Sequence, residues 1–339
     1  MHKVESGLLP KQNEIESILA LNWGGEVAEV MDSYLLNPLR EFLDRPSKKI
    51  RGRMVEIGFR LAATGDVDQE FLRNQRWIES AGNLLESLHS ASLIIDDIQD
   101  NSHERRGEPT VHRKHGMPLA LNAGNWLYFW PLQNIDEWDV EDSVKLRVYR
   151  VCHKGLLRAH FGQALDVGLN IFNTSQNKIK GTCLASLELK SGALMAMALS
   201  LGAVLGSKER ALDLLCDRFG HAFGIALQMF DDAGNASQKG PKQYEDLLLK
   251  RPSWLVAVAA DQLSEEDFSQ FRKAVGLLPD TEALEKLLKE FNLIELARSE
   301  AKKYLDQSLK LLNHPDLETK ASAKNQIQEL ADLLVRAYV

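Results

Sequence analysis

The stretch LLESLHSASLIIDDIQD at residues 84–100 is the end of a long apolar helix pattern, and it finishes with three aspartates. Its apolar residues recur at the three- and four-residue spacing of one helix face, and the pattern extends back to residue 67. Similar periodicity covers most of the chain, whereas alternating strand patterns are nearly absent. No proline interrupts the chain between Pro131 and Pro241. The sequence therefore predicts an all-α fold.

The helical patterns form one continuous series without a Gly/Ser/Pro-rich linker or a repeat, so we expect a single domain over residues 1–339. Ser264 before Glu265, and Asp280-Thr281 before Glu282, are typical of helix starts. The predicted helical blocks are residues 25–44, 49–63, 67–100, 117–133, 141–171, 177–206, 208–235, 253–276, 283–312 and 317–337.

Composition excludes several classes of protein. With 44% hydrophobic residues among 339, the chain can bury a large core and is not mostly disordered. A net charge of −7 argues against a general nucleic-acid or anionic-membrane binder. Three cysteines without metal-ligand spacing support neither a zinc site nor a disulfide framework, and the simplest compartment is the cytoplasm.

One segment is apolar enough to require a check for membrane insertion. Residues 191–207 carry no charge but are interrupted by Gly192 and Gly202, and they are short for a span. We expect a helix buried inside a helical bundle, and no transmembrane segment. The N-terminus does not have the pattern of a secretory signal.

Two short clusters share the spacing i, i+1, i+4. They are Asp96, Asp97 and Asp100, and Asp231, Asp232 and Asn235. In the first cluster, like charges this close destabilise an isolated helix unless a cation holds them. Mg²⁺ prefers one or two carboxylates together with substrate phosphate oxygens, so the clusters predict a magnesium and phosphate site. Either cluster taken alone is also typical of a solvated helix end.

A loop with two adjacent arginines follows the first cluster, NSHERRGEPTVH at residues 101–112. Arginine forks match phosphate oxygens with two parallel hydrogen bonds. The loop therefore favours an anionic ligand beside the aspartates.

These motifs resemble those of the trans-isoprenyl diphosphate synthases, and most of all the eukaryotic-type geranylgeranyl diphosphate synthases. The matching segments are residues 88–102, Arg105-Arg106-Gly107, Lys48-Lys49-Ile50-Arg51, Gly162-Gln163-Ala164-Leu165-Asp166, Lys190-Ser191-Gly192-Ala193-Leu194, Gln228 with the second cluster, and Lys242, Asp246 and Ser253-Trp254-Leu255. They follow the family's order within a motif-bearing part at about residues 45–260. Ser47 departs from the family's usual glycine, and Asn235 from its usual aspartate.

The resemblance implies an isoprenoid synthase fold, a bundle of about ten or more helices around a deep apolar cavity. It also implies a homodimer that condenses an allylic diphosphate with isopentenyl diphosphate by Mg²⁺-dependent ionisation. The implied catalytic residues are Asp96, Asp97, Asp100, Asp231, Asp232 and Lys190. With Asn235, the aspartates would hold about three Mg²⁺ ions.

The resemblance divides the remaining site residues between two diphosphates. Arg105, Lys190 and Lys242 would surround the allylic diphosphate. The isopentenyl diphosphate pocket would contain Lys48, Arg51, His89 and Arg106. Gln163 and Gln228 would donate hydrogen bonds at the metal rim, although either is equally typical of an ordinary polar helix position.

Product length is expected to depend on two small residues. Ala91 and Ser92 lie about one helical turn before Asp96, where farnesyl-producing relatives often carry aromatic residues. Small side chains leave room for a longer chain, which favours geranylgeranyl diphosphate as the product.

Two alternatives stay open. A terpene cyclase on the same fold would ionise the same substrate, but it would have no use for Lys48, Arg51, His89 and Arg106. A non-catalytic partner subunit of a prenyl synthase could lose aspartates, yet the first cluster is complete.

Overall fold

The protein is helical through nearly all of the chain that the structure describes. The computed structural model describes residues 8–19, 25–47, 50–237 and 243–338. Within these ranges it contains seventeen α-helices and one two-stranded hairpin, which confirms the predicted all-α bundle. The chain divides into two compact units, Met1–Arg53 with Gln75–Tyr149, and Met54–Asn74 with Arg150–Val339.

The first unit combines short helices with the hairpin. A π-helical segment, Asp32–Leu36, joins its second and third helices, and a 3₁₀ turn, Asn134–Glu137, ends its longest complete helix. Its own elements are α1 (Gln12–Leu19), α2 (Gly25–Met31), α3 (Asn37–Leu43), β1 (Glu104–Arg105), β2 (Glu108–Pro109), α6 (Val111–His115) and α7 (Met117–Gln133). The helices that contribute residues to both units are α4 (Ile50–Ala62), α5 (Val67–Gln99) and α8 (Asp142–Gly168).

The second unit contains the remaining helices. A π-helical segment, Glu188–Gly192, joins two of them without a break, and the 3₁₀ turns Leu311–Asn313 and Pro315–Leu317 precede the last. The helices are α9 (Gln176–Leu187), α10 (Ala193–Gly206), α11 (Arg210–Ser237), α12 (Glu245–Leu248), α13 (Trp254–Gln262), α14 (Glu265–Gly276), α15 (Glu282–Glu290), α16 (Leu293–Lys310) and α17 (Ala321–Tyr338).

Each predicted block contains an observed helix, with boundaries that agree to within about four residues, and two blocks are divided by a local signal. The short helices α1, α6 and α12 fall outside the predicted blocks. The block at 253–276 divides before α14 at Ser264, whose Oγ accepts a hydrogen bond from the Asp267 amide at 3.1 Å. The block at 283–312 divides at Asn292, which has a left-handed φ of 51° that an α-helix does not permit. The predicted helix start at Ser264 is therefore confirmed.

The core of the first unit fixes the end of α5. Ala91 and Ile94 of α5 are buried with Leu39 and Phe42 of α3 and with residues of α7. A Cβ atom at Gly124 of α7 would lie 2.8 Å from Cδ1 of Ile95, so α7 approaches α5 closely at a glycine. Burial of each large apolar side chain stabilises this packing by about 1.5–3 kcal/mol.

The core of the second unit is built on α10 and α11. The predicted buried helix is confirmed, because α10 is apolar and buried on nearly all sides. The continuous helical stretch Gln176–Gly206 is long and apolar enough to cross a membrane, but 67% of its most apolar window is buried in the protein, as in a core helix. A Cβ atom at Gly224 of α11 would lie 2.8 Å from the carbonyl oxygen of Ser191. This glycine therefore lets α11 lie directly against the segment that carries Lys190.

Candidate active site

The two arginines after the first cluster lie on a tight β-hairpin and not in an irregular loop. Glu104 pairs with Pro109 and Arg105 with Glu108, so the two-residue turn is Arg106-Gly107. Both turn residues have positive φ, 57° and 80°, as a type I′ turn requires. Glycine adopts this conformation freely, whereas a left-handed arginine costs about 1–2 kcal/mol. The hairpin therefore holds Arg106 in a conformation that the residue alone would avoid.

Within the first cluster, Asp97 turns into the protein. It is 0% exposed, and its Oδ1 accepts hydrogen bonds from Arg105 Nε at 2.8 Å and Nη2 at 2.5 Å. Burial raises the pKa of the Asp97 carboxyl, while Arg105 acts in the opposite direction. Asp96 and Asp100 are only partly buried. Asp97 thus links the hairpin to α5, whereas Asp96 and Asp100 remain accessible.

A group of cations lies next to the hairpin in the first unit. Glu86 Oε1 accepts hydrogen bonds from the backbone amides of Arg51, at 3.2 Å, and Gly52, at 3.3 Å, and so caps the start of α4. Burial lowers the pKa of both Arg51 and Arg106, the nearby carboxylate of Glu86 raises both, and Arg106 further lowers that of Arg51. His89 lies three residues after Glu86, on the same side of α5. The charges of Arg51 and Arg106 thus act on one another and on the same carboxylate, whereas Lys48 lies outside the described residues.

Within the second cluster, Asp232 is the residue that turns inward. Its Oδ2 accepts a hydrogen bond of 2.8 Å from the backbone amide of Trp254, the first residue of α13. Gln228 Nε2 donates to Asp232 Oδ1 at 2.9 Å and to Asp231 Oδ2 at 3.2 Å, while its Oε1 accepts from Ser191 Oγ at 2.9 Å. Burial raises the pKa of Asp232 well above its usual value. Gln228 therefore orients both aspartates, and Asp231 and Asn235 stay partly exposed.

Lys190 lies in an ion-pair network of the second unit. Its Nζ donates to Asp166 Oδ2 at 2.9 Å, and Arg251 Nη1 donates to the same oxygen at 3.3 Å. Burial, together with the carboxylates of Asp166 and Asp231, raises the pKa of Asp246 to about 6. Gln163 precedes Asp166 by three residues on α8. Lys242 lies outside the described residues.

Both clusters follow one plan that suits magnesium. In each, the second residue is buried and hydrogen-bonded by the protein, and the first and last residues, one turn apart, are accessible. No group of three or more Asp, Glu, His or Cys side chains among the described residues is arranged to hold a metal by itself. Two accessible oxygen ligands on one helix face fit Mg²⁺, which completes its coordination with water and phosphate oxygens.

The two residues expected to set product length occupy different faces of α5. Ala91 is 0% exposed and packs in the core with Phe42 and Leu39. Ser92 is partly buried, donates from Oγ to the His89 carbonyl at 2.7 Å, and lies one turn before Asp96 on the same face. Of the pair, Ser92 therefore shares the helix face of Asp96 in the first aspartate cluster.

Sequence reasoning missed three residues that organise the site. Glu86 was detectable, because it lies one turn before His89 on the same face. Arg251 follows α12 and pairs with Asp166, which no local spacing indicates. Arg45 reaches the hairpin across about sixty residues of chain, a contact that only the folded protein reveals.

Comparison with known proteins gives a consistent result. The family model described as Polyprenyl synthetase matches residues 32–293. The chain is 26% identical over 259 residues to a geranylfarnesyl diphosphate synthase of Aeropyrum pernix, covering 74% of this chain and 80% of that protein. It is 27% identical over 266 residues to a geranylgeranyl diphosphate synthase of Methanosarcina mazei, covering 77% and 80%. A solved geranylgeranyl pyrophosphate synthetase from Pyrococcus horikoshii shares the fold, with a TM-score of 0.75, 24% identity and coverage of 95% and 94%.

Proposed function

Since the chain belongs to the polyprenyl synthetase family, we propose that it is a prenyltransferase that makes geranylgeranyl diphosphate from isopentenyl diphosphate and an allylic diphosphate. The observation that carries this proposal is the hairpin: Arg105 donates hydrogen bonds to Asp97 of the first aspartate cluster, and the charge of Arg106 lowers the pKa of Arg51. A site with two adjacent guanidiniums next to accessible carboxylates suits two diphosphates, one of them bound with metal. The geranylgeranyl and geranylfarnesyl diphosphate synthases among the relatives support this substrate class.

Magnesium would be held by the accessible oxygen ligands of the two clusters. We assign direct contact to Asp96, Asp100, Asp231 and Asn235, with about three ions in all. The sequence also predicts Asp97 and Asp232 as ligands; their buried positions favour a supporting role, in which they orient Arg105 and the start of α13. Bound Mg²⁺ supplies neutralisation of the negative charge on the leaving diphosphate.

The fixed cations of the chain bind the two substrates at separate places. Arg105, Lys190 and Lys242 surround the allylic diphosphate. The isopentenyl diphosphate lies against Lys48, Arg51, His89 and Arg106. Gln163 and Gln228 orient carboxylates and substrate by hydrogen bonds. Donors fixed in advance act most strongly where charge develops during the reaction, here on the departing diphosphate.

The chemistry requires no protein nucleophile. The allylic C–O bond breaks, its electron pair leaves with the diphosphate, and the isopentenyl double bond attacks the resulting allylic carbocation. The new cation loses a proton to the departed diphosphate, which lies within the same site. The residues of the chain bind, orient and exclude water, so that the carbocation meets the double bond and not solvent.

The remaining assignments extend to the whole chain. We propose one domain over residues 1–339, because the family match runs continuously through segments of both units. We also propose a cytoplasmic location and a homodimer. The homodimer is supported by exposed apolar side chains such as Phe129 on α7 (74% exposed) and Phe161 on α8 (66% exposed), which offer surfaces for a second copy.

The proposal is tested by incubating the purified protein with Mg²⁺, labelled isopentenyl diphosphate and allylic starters of five, ten or fifteen carbons. We expect a twenty-carbon diphosphate as the main product and no turnover in excess chelator. A cyclic hydrocarbon formed without isopentenyl diphosphate would identify a cyclase. A protein that is inactive alone but changes the products of an added synthase would be a partner subunit.

A further inference from the structure

Arg45 is a buried arginine that belongs to none of the motifs described above. It follows α3 and is 8% exposed. A guanidinium in such a position is costly unless the protein supplies hydrogen-bond acceptors. The partners of Arg45 therefore indicate what it stabilises.

Both partners are backbone carbonyls of the arginine hairpin. Arg45 Nη1 donates to the carbonyl oxygen of Arg105 at 3.1 Å, and Nη2 donates to that of Pro109 at 2.8 Å. These carbonyls belong to the two opposite strands, on either side of the Arg106-Gly107 turn. A planar guanidinium can hold two acceptors at once, so Arg45 ties the strands together.

The side chains of Arg45 and Arg106 both make cation–π contacts with the same aromatic ring. The guanidinium of Arg45 lies 5.1 Å from the centroid of the Phe42 ring, and that of Arg106 lies 5.7 Å from it. Phe42 is fully buried in the core of the first unit. The hairpin is thus attached to the core through Phe42 and Arg45.

The two hairpin arginines depend on this attachment to different degrees. Arg105 has a second attachment, because its side chain donates two hydrogen bonds to Asp97. Arg106 occupies a left-handed conformation, and the structure gives its side chain the Phe42 ring as a contact. Loss of Arg45 would therefore affect Arg106 more than Arg105.

We infer that Arg45 is a positioning residue for isopentenyl diphosphate: it clamps both strands of the hairpin and so holds Arg106 where the substrate phosphate binds. The inference rests on the proposed function, because Arg106 is assigned there to the isopentenyl diphosphate pocket. Arg45 itself touches no substrate.

The test compares Arg45→Gln with a matched control, Arg40→Gln. Arg40 lies on α3 five residues earlier, is about 40% exposed and pairs with Asp32. We expect Arg45→Gln to raise the KM for isopentenyl diphosphate about tenfold, with the KM for the allylic substrate and kcat within about twofold of the wild type. Arg45→Lys, whose single ammonium group replaces the planar guanidinium, should raise the KM for isopentenyl diphosphate about threefold. The control should change neither KM.

A second measurement reports on the clamp without turnover. Hydrogen exchange at backbone amides 104–108 should accelerate about tenfold in Arg45→Gln and stay unchanged in Arg40→Gln. An inactive wild type would contradict the proposed function, while the exchange experiment would still test the clamp. Unchanged exchange, or an equal rise of both KM values, would overturn the inference. If Arg45→Gln fails to fold, the same comparisons apply to Arg45→Lys.

Discussion

The two aspartates Asp96 and Asp97 are adjacent in sequence but should respond oppositely to removal. Asp97→Ala deletes a buried carboxylate that accepts two hydrogen bonds from Arg105. Breaking a buried ion pair costs about 3–5 kcal/mol. The Arg105 side chain is 21% exposed and can regain some water, so we expect about 2–3 kcal/mol. Asp96→Ala removes a partly exposed side chain and should cost little stability.

These energies convert to measurable shifts in melting temperature. At about 2.1 cal/mol/K per residue, a chain of this length has an unfolding entropy of about 0.7 kcal/mol/K. A loss of 2–3 kcal/mol therefore lowers Tm by about 3–4 °C. Asp96→Ala should keep Tm within about 1 °C while turnover falls about a hundredfold or more, because a metal ligand is lost.

The assay is thermal unfolding with and without Mg²⁺ and inorganic diphosphate. Asp97→Ala should start from a lower Tm and keep the rise that the ligands produce. Asp96→Ala should start from the wild-type Tm and lose that rise. If Asp97→Ala kept its Tm and lost the rise, Asp97 would be a metal ligand, and the separation of roles would be wrong.

Three further outcomes are expected. Arg51→Ala should raise the KM for isopentenyl diphosphate about tenfold and leave that for the allylic substrate unchanged; equal weakening of both in steady-state titrations would contradict two separate diphosphate sites. Ser92→Phe should shorten the main product toward fifteen carbons, whereas Ala91→Phe, which overpacks the core, should also lower Tm by a few degrees; chromatography of dephosphorylated products and thermal unfolding distinguish the two. The pKa of Asp246 in the folded protein is raised to about 6, so the folded state binds this proton more tightly than the unfolded chain does. The stability gained from that proton is complete below about pH 4 and is lost as pH rises through about 6. Without metal, Asp246→Asn should therefore stabilise the protein at pH 7.5 and not at pH 4, as measured by urea unfolding.

The sequence predicts the long helices well because each carries its own signal, whereas the short helices α1, α6 and α12 were not predicted. Apolar periodicity marks α5 and α7 to within one residue, and the Ser264 hydroxyl marks the start of α14. The hairpin was not predicted, because two strands of two residues are too short for any alternating pattern. Its geometry depends on Arg45, which is distant in sequence and whose two acceptors are backbone atoms. Backbone acceptors carry no residue preference, so no local motif could reveal this contact.

The second aspartate of each cluster points inward because it continues a series of buried residues on its helix. The i, i+1, i+4 spacing of the cluster does not show this series. On α5 the buried series Leu88, Ala91, Ile94 advances by three residues and continues to Asp97. On α11, Asp232 likewise lies three residues after the buried Met229. A residue that continues the core face enters the protein even when it is charged, and it then requires a partner there. Arg105 and the Trp254 amide are those partners, so each cluster uses one carboxylate to attach a neighbouring segment and leaves the other two residues, one turn apart, accessible for the proposed metal.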